Sequence, residues 1–163
     1  MIYKLKKIFI LFCLLFLTKV FSQWEYKENK SARSIEAIGQ LNFNNSNQDS
    51  LVLRISKSKK LGLNFSINGI FFKEAQDYYV LFEISERKFK AANSITENES
   101  YQIFEVKDLI SNETYELEDF FKILKKGEAC TITIRSKNRV IQAYNELTGS
   151  SFVINNVLRN KFP

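Results

Sequence analysis

The segments "LVLRIS" (51–56) and "LGLNFSING" (61–69) alternate apolar and polar residues strictly. Leu51, Leu53 and Ile55 share one face, as do Leu61, Leu63, Phe65 and Ile67, with Gly62, Asn64, Ser66 and Asn68 opposite. A period of two means strands covered on one side, and this constrains the chain more than any other feature. The intervening Lys57-Ser58-Lys59-Lys60 is short and polar enough to close an antiparallel hairpin. "DYYVLFEIS" continues the pattern, with Tyr78, Val80, Phe82 and Ile84 on one face and Tyr79, Leu81, Glu83 and Ser85 on the other. "RKFKAA" and "YQIFEV" read as shorter strands separated by a polar loop, "NSITENES".

The later part of the chain changes period. In "ELEDFFKILKKG", Leu117, Phe120, Phe121 and Leu124 recur at helical spacing, acids open the segment and lysines close it, which complements the helix dipole. Gly127 is expected to supply a left-handed stop. "EACTITIRSKNRVIQAY" reads as a second hairpin, with Cys130, Ile132 and Ile134 on one face, a turn near Lys137-Asn138 and a return through Val140, Gln142 and Tyr144. A last helix from Ser150 to Arg159 follows from the pairs Val153/Val157 and Ile154/Leu158, with Ser150 or Ser151 as its expected cap. The Asn/Ser-rich "NFNNSNQDS" reads as a solvated loop. Strand runs punctuated by two helices, without a crossover after each strand, predict a mainly β (α+β) fold: an antiparallel β-sandwich or barrel-like domain with two short helices, the last at the C-terminus.

The first 22 residues have the layout of a secretory signal peptide: Lys4, Lys6 and Lys7, an apolar run from Ile8 to Leu17, and a short polar stretch. A membrane-spanning helix needs about 20 apolar residues, twice this run. Val20 and Ser22 place the cut after Ser22, so that Gln23 starts the mature chain and Cys13 is discarded with the leader. No transmembrane segment is expected after cleavage, and residues 23–163 are expected to form one domain. The whole chain carries 24 Lys and Arg against 18 Asp and Glu, but four of those lysines leave with the leader and the remainder is only +2. Nucleic acid is therefore an unpromising partner. Cys130 is the one cysteine left, so no internal disulfide forms, and histidine is absent.

A leader, a Trp close to the mature N-terminus (Trp24 in "QWEYKEN"), a central run of alternating strands, a helix ending in "KKGEACTITI", and a final strand into Leu147-Thr148-Gly149-Ser150 and a helix together mark a pattern. In these features the chain resembles small exported bacterial proteins of the invasion-associated locus B-like family. The resemblance implies an exported β-rich domain without an established catalytic activity, and it supplies no catalytic residue. Members commonly carry cysteines that could bridge, whereas here Cys130 stands alone after the leader.

Four constellations are candidates for chemistry. "ELTGSSF" has one glycine and no lysine, too few for a phosphate loop, and a serine nucleophile would lack a histidine base, so a turn and helix cap is the expectation. Glu116, Glu118 and Asp119 could serve a hydrolase that works with acids alone, but the first turn of a helix is an ordinary place for them. Cys130, in register with Ile132 and Ile134, reads as a core thiol. Lys57, Lys59 and Lys60 in one hairpin and Arg135, Lys137 and Arg139 in the other present cations that suit an anionic surface, as they would suit any solvated tip. Without histidine or a cysteine pair, metal sites have almost no ligands, and no cofactor is expected. Ile70-Phe71-Phe72, Tyr79 and Leu81 lie off the main apolar faces; they form either a binding surface or, as expected of a sandwich, the contact with a second packing layer. The sequons at Asn64, Asn98 and Asn112 matter only in a eukaryotic secretory route.

The expectation is an exported, non-enzymatic binding or accessory protein of the bacterial envelope, periplasmic or secreted, with a protein, lipid or glycan as partner. The alternatives are a metal-free, carboxylate-dependent hydrolase and a structural envelope component.

Overall fold

The computed structural model describes residues 23–43, 50–73 and 76–160. Residues 1–22, where the leader is expected, most of the Asn/Ser-rich stretch, residues 74–75 and the last three residues lie outside them. Eleven strands and two helices follow one another: β1 (Trp24–Asn29), β2 (Ser34–Gln40), β3 (Asn42–Phe43), β4 (Val52–Ser58), β5 (Gly62–Asn68), β6 (Tyr79–Ile84), β7 (Arg87–Glu97), β8 (Ser100–Asp108), β9 (Thr114–Glu116), α1 (Leu117–Leu124), β10 (Ala129–Arg135), β11 (Val140–Glu146) and α2 (Ser150–Arg159). All strands join one antiparallel sheet in the order β1-β2-β4-β5-β8-β7-β6-β10-β11-β3, with β9 paired to β8 outside this path. The sheet curls into a half-barrel. Of the two architectures expected from the sequence, the barrel-like one is present and the two-sheet sandwich is not.

Helices, rather than a second sheet, fill the concave side. Leu117, Phe120, Phe121 and Leu124 of α1 are buried, the i, i+3, i+4, i+7 stripe read from the sequence. Phe120 and Phe121 pack with ring centroids 5.7 and 5.3 Å from Phe65, and Phe120 lies 5.5 Å from Phe82 and 5.4 Å from Phe89. Burying each such ring contributes about 1.5–3 kcal/mol, and well-placed ring pairs add about 0.5–1.5 kcal/mol each. Helix α2 buries Val153, Ile154 and Val157 and packs on β1, β2 and β4. A smaller aromatic cluster of Phe71, Phe72, Tyr78 and Tyr101 closes the region before β6, where the Tyr78 hydroxyl accepts a hydrogen bond from the Lys73 N–H and donates one to the Phe71 carbonyl. Phe71 and Phe72 are thus buried while Ile70 between Gly69 and Phe71 is 60 % exposed, and Tyr79 and Leu81 lie half-buried on the convex face with no second layer over them among the described residues.

Several local expectations are corrected. "NSITENES" is not a loop: β7 runs to Glu97 and β8 starts at Ser100, leaving the two-residue turn Asn98-Glu99 with φ of 49° and 58°. A two-residue hairpin turn with positive φ at both positions matches the right-handed twist of its strands, which is why so short a connection suffices. Ser85-Glu86 between β6 and β7 repeats the device at φ 47° and 67°. The first two residues of "NFNNSNQDS" are β3 rather than loop. Gly127 is not left-handed; a Cβ there would come within 2.6 Å of Ile84 and 2.9 Å of Leu147, so packing requires the glycine. In the second hairpin the inward residues of β11 are Ile141, Ala143 and Asn145, while Val140, Gln142 and Tyr144 point outward. The four-residue loop Ser136 to Arg139 sets Arg135 opposite Val140, and that register decides the face.

Candidate functional site

The Gly-Ser-Ser turn resolves as structure. Gly149 takes the left-handed conformation (φ 83°) at the N-cap of α2, and no side chain caps that helix end. Ser150 is therefore the first helical residue, not the cap expected from the sequence. Its N–H bonds the Leu147 carbonyl at 2.9 Å, and its hydroxyl is buried with no hydrogen-bond partner. Left-handed backbone at residue 149 favours glycine, so cap position and cap chemistry were in conflict and the backbone won.

The acidic cluster stays at the surface. Glu116, Glu118 and Asp119 are all exposed, Glu118 and Asp119 lie in the first turn of α1, and Asp119 is held by Lys122 at 2.6 Å. Helix-end electrostatics accounts for the arrangement. Near the other end of α1 a shallow cleft of about 260 Å³ is lined by Ile84, Ser85, Arg87, Lys122, Ile123, Lys126 and Gly127. Two of its three cations are already engaged, Lys122 with Asp119 and Arg87 with Asp108. Cys130 is fully buried, and burial pushes its thiol well above the ordinary range, with the nearby Glu83 charge acting in the same direction. Such a thiol is inert toward exchange. Among the described residues no group of three or more Cys, Asp or Glu side chains is placed to hold a metal ion.

Two buried polar centres are fully committed to the fold. At the seam, β3 follows β2 after Leu41 alone and yet pairs with β11, at the other end of the sheet order, through Phe43↔Ala143 and Asn42↔Tyr144. The Trp24 indole N–H donates to Asn145 Oδ1 at 2.8 Å, Asn145 Nδ2 donates to the Gln40 carbonyl at 2.6 Å, and Gln23 Oε1 accepts the Glu146 N–H at 2.9 Å. Gly39 makes room: a Cβ there would lie 2.9 Å from two indole carbons. The second centre is Asp108, 2 % exposed, which accepts two bonds from Arg87 (2.6 and 3.0 Å) and one each from the N–H groups of Ile110 and Ser111 (2.8 and 3.2 Å). Burial pushes its carboxyl up, but the Arg87 guanidinium and the two backbone donors outweigh burial and hold it below the usual carboxylate range.

The basic tips separate. Lys57 lies within β4 and its ammonium bonds the Leu158 carbonyl at the end of α2 at 2.9 Å, a helix C-terminus held by a cation. Lys59 and Lys60 remain at the exposed tip. The Arg139 guanidinium lies 5.4 Å over the Phe71 ring. Lys137 and Arg135 are exposed, and only Arg135 belongs to a larger array.

That array crosses the open convex face. Arg135 of β10 stands directly opposite Tyr79 of β6; the Lys90 ammonium of β7 lies 4.9 Å from the Tyr79 ring; Lys90 stands directly opposite Lys107 of β8. Four neighbouring strands at about 4.8 Å spacing make this stripe roughly 15 Å long. Directly opposed like charges are unfavourable, and neither Lys90 nor Lys107 is within ion-pair distance of a carboxylate among the described residues. Exposed Gln142, opposite the buried Thr133 that stands beside Leu81, adds a hydrogen-bonding group next to it.

No family model, curated protein or solved structure matches the chain. The stripe must be read from its own residues. Sequence reasoning reached Arg135 and placed Tyr79 off the main apolar face, expecting a second layer over it, and missed Lys90 and Lys107. A local signal existed, because Lys88 and Lys90 flank the inward Phe89 in "RKFKAA" and so point outward. Nothing local, however, told that Lys107, 17 positions further on, would face Lys90.

Proposed function

We propose that the chain is an exported, non-enzymatic binding or accessory protein of the bacterial envelope or its surroundings, working through the convex face of its sheet. The leader-like first 22 residues support export. The observation that carries the binding half of the reading is the Lys90–Lys107 pair, directly opposed across β7 and β8 with no carboxylate at ion-pair distance among the described residues. A protein gains no stability from two opposed cations, so a partner that supplies negative charge gives the arrangement a purpose. The concave side offers no comparable opportunity, since Phe120, Phe121 and α2 occupy it.

The test has two arms. Fractionation of the expressing cell, with sequencing of the exported chain, is expected to recover protein beginning at Gln23; protein confined to the cytoplasm with Met1 retained refutes export. Envelope components captured by the exported protein are expected to be lost with Lys90→Glu or Lys107→Glu. Capture unaffected by both substitutions removes the convex face from the reading.

A further inference from the structure

We infer that the stripe Arg135–Tyr79–Lys90–Lys107 is a binding site for an acidic polysaccharide, a linear chain with spaced carboxylate or sulfate groups. The inference rests on the surface-binding reading above and adds its ligand.

Three features select this class. The cations are ordered rather than merely abundant: they follow one line over adjacent strands, and Lys90 is held at 4.9 Å from the Tyr79 ring, which fixes its ammonium at the cost of little further ordering on binding. Lys90 and Lys107 stand directly opposite on β7 and β8, with Cβ atoms about 4.5–5.5 Å apart, so a linear chain laid along the line meets both cations in succession. Gln142, exposed beside the line, offers a neutral hydrogen-bonding group of the kind that sugar hydroxyls require.

The surroundings argue against denser anions. Glu83, paired with Lys88, flanks the stripe on one side, and the opposed Glu105 and Glu116 flank it near Lys107. A duplex nucleic acid, with one charge every ~1.7 Å, would bring phosphates onto these carboxylates as well as onto the cations. An anionic bilayer would do the same, being a continuous plane of charge facing a convex sheet. A single chain with spaced acids touches the stripe and avoids its acidic borders.

The like-charge pair gives the inference a signature beyond loss of binding. Lys107→Glu places a carboxylate opposite Lys90, so the substitution that removes the site should also stabilise the sheet. The experiment measures binding of polygalacturonate, neutral dextran, phosphatidylglycerol vesicles and a short DNA duplex to the purified exported protein, with thermal melts of every variant. Expected are salt-sensitive binding of polygalacturonate, none of dextran, and affinity about tenfold weaker in Lys90→Glu and Lys107→Glu. The melting temperature of Lys107→Glu should equal or exceed that of the parent. Lys107→Thr serves as a second variant should the charge reversal misfold.

Unchanged polygalacturonate binding in the variants overturns the inference, as does binding of vesicles or duplex without polygalacturonate. A lower melting temperature in both Lys107 variants overturns the reading of the pair as strained. These outcomes are separate from failure of export, which only the fractionation and sequencing of the preceding section decide.

Discussion

The seam and the stripe are both polar, both built on several strands, and opposite in how their groups are used. At the seam, Trp24, Gln23, Gln40 and Asn145 bring together donors and acceptors from β1, β2 and β11, and each finds a partner inside the protein. On the stripe, Lys90 and Lys107 stand opposite each other, half-buried, with no carboxylate at ion-pair distance among the described residues. Buried polar groups must be satisfied internally because an unpaired one costs about 1–3 kcal/mol, whereas water satisfies an exposed ammonium at almost no cost. The fold therefore closes its seam with its own groups and leaves those of the stripe to solvent or a partner.

Removing Trp24 breaks the comparison on its structural side and should have the largest effect. Trp24→Ala empties a buried site, 4 % exposed, and orphans Asn145 Oδ1, so we expect a loss of about 4 kcal/mol, read as a melting temperature roughly 10–15 °C lower. Binding by whatever folded protein remains should be unchanged. If the two regions shared a role, binding would fall as well.

Asp108 belongs with the seam, as a buried charge satisfied from within. Asp108→Ala should cost about 3 kcal/mol near neutral pH, because Arg87 and two backbone N–H groups lose their acceptor. The folded carboxyl has a pKa below its unfolded value of about 3.9. Its contribution is thus complete above about pH 4 and is lost as pH falls through the lowered folded value. Denaturant melts of parent and variant should converge below that point, and a constant difference down to the most acidic pH would contradict the pairing.

Ser150 is an exception that sharpens the contrast, a buried hydroxyl with no hydrogen-bond partner among the described residues. Ser150→Ala removes the orphan without changing the backbone and should stabilise by about 1 kcal/mol in urea unfolding. Destabilisation would reveal a partner for the hydroxyl. The smallest effect belongs to the stripe: Lys107→Glu should stabilise by about 0.5 kcal/mol in the same assay, since it turns a repulsive cross-strand pair into an attractive one.

Much of the scaffold was legible in the residues. Leu51, Leu53 and Ile55, Val80, Phe82 and Ile84, and Cys130, Ile132 and Ile134 are all buried on the faces that their period of two assigned, and α1 buries the four residues that its spacing named. The errors came where the answer was not local. Val140 and Tyr144 looked like inward residues because they are apolar or aromatic, but the inward row holds the polar Asn145, whose reason for burial is Trp24, 121 positions away. Ser150 looked like a cap because its chemistry fits one, and the left-handed Gly149 had taken the position.

The sequence by itself determined β4 to β8, β10, β11 and both helices, and which side of most of them is apolar, because side-chain direction repeats with a period set by each residue's immediate neighbours; β1, β2, β3 and β9 were not read from it. Only the tertiary structure decided that the strands form one curled sheet rather than a sandwich, that β3 carries the chain across to β11, and that Lys90 meets Lys107. Those outcomes depend on register and on which distant segments pair, and these are settled by the packing of the whole chain around Phe65, Phe120 and Phe121.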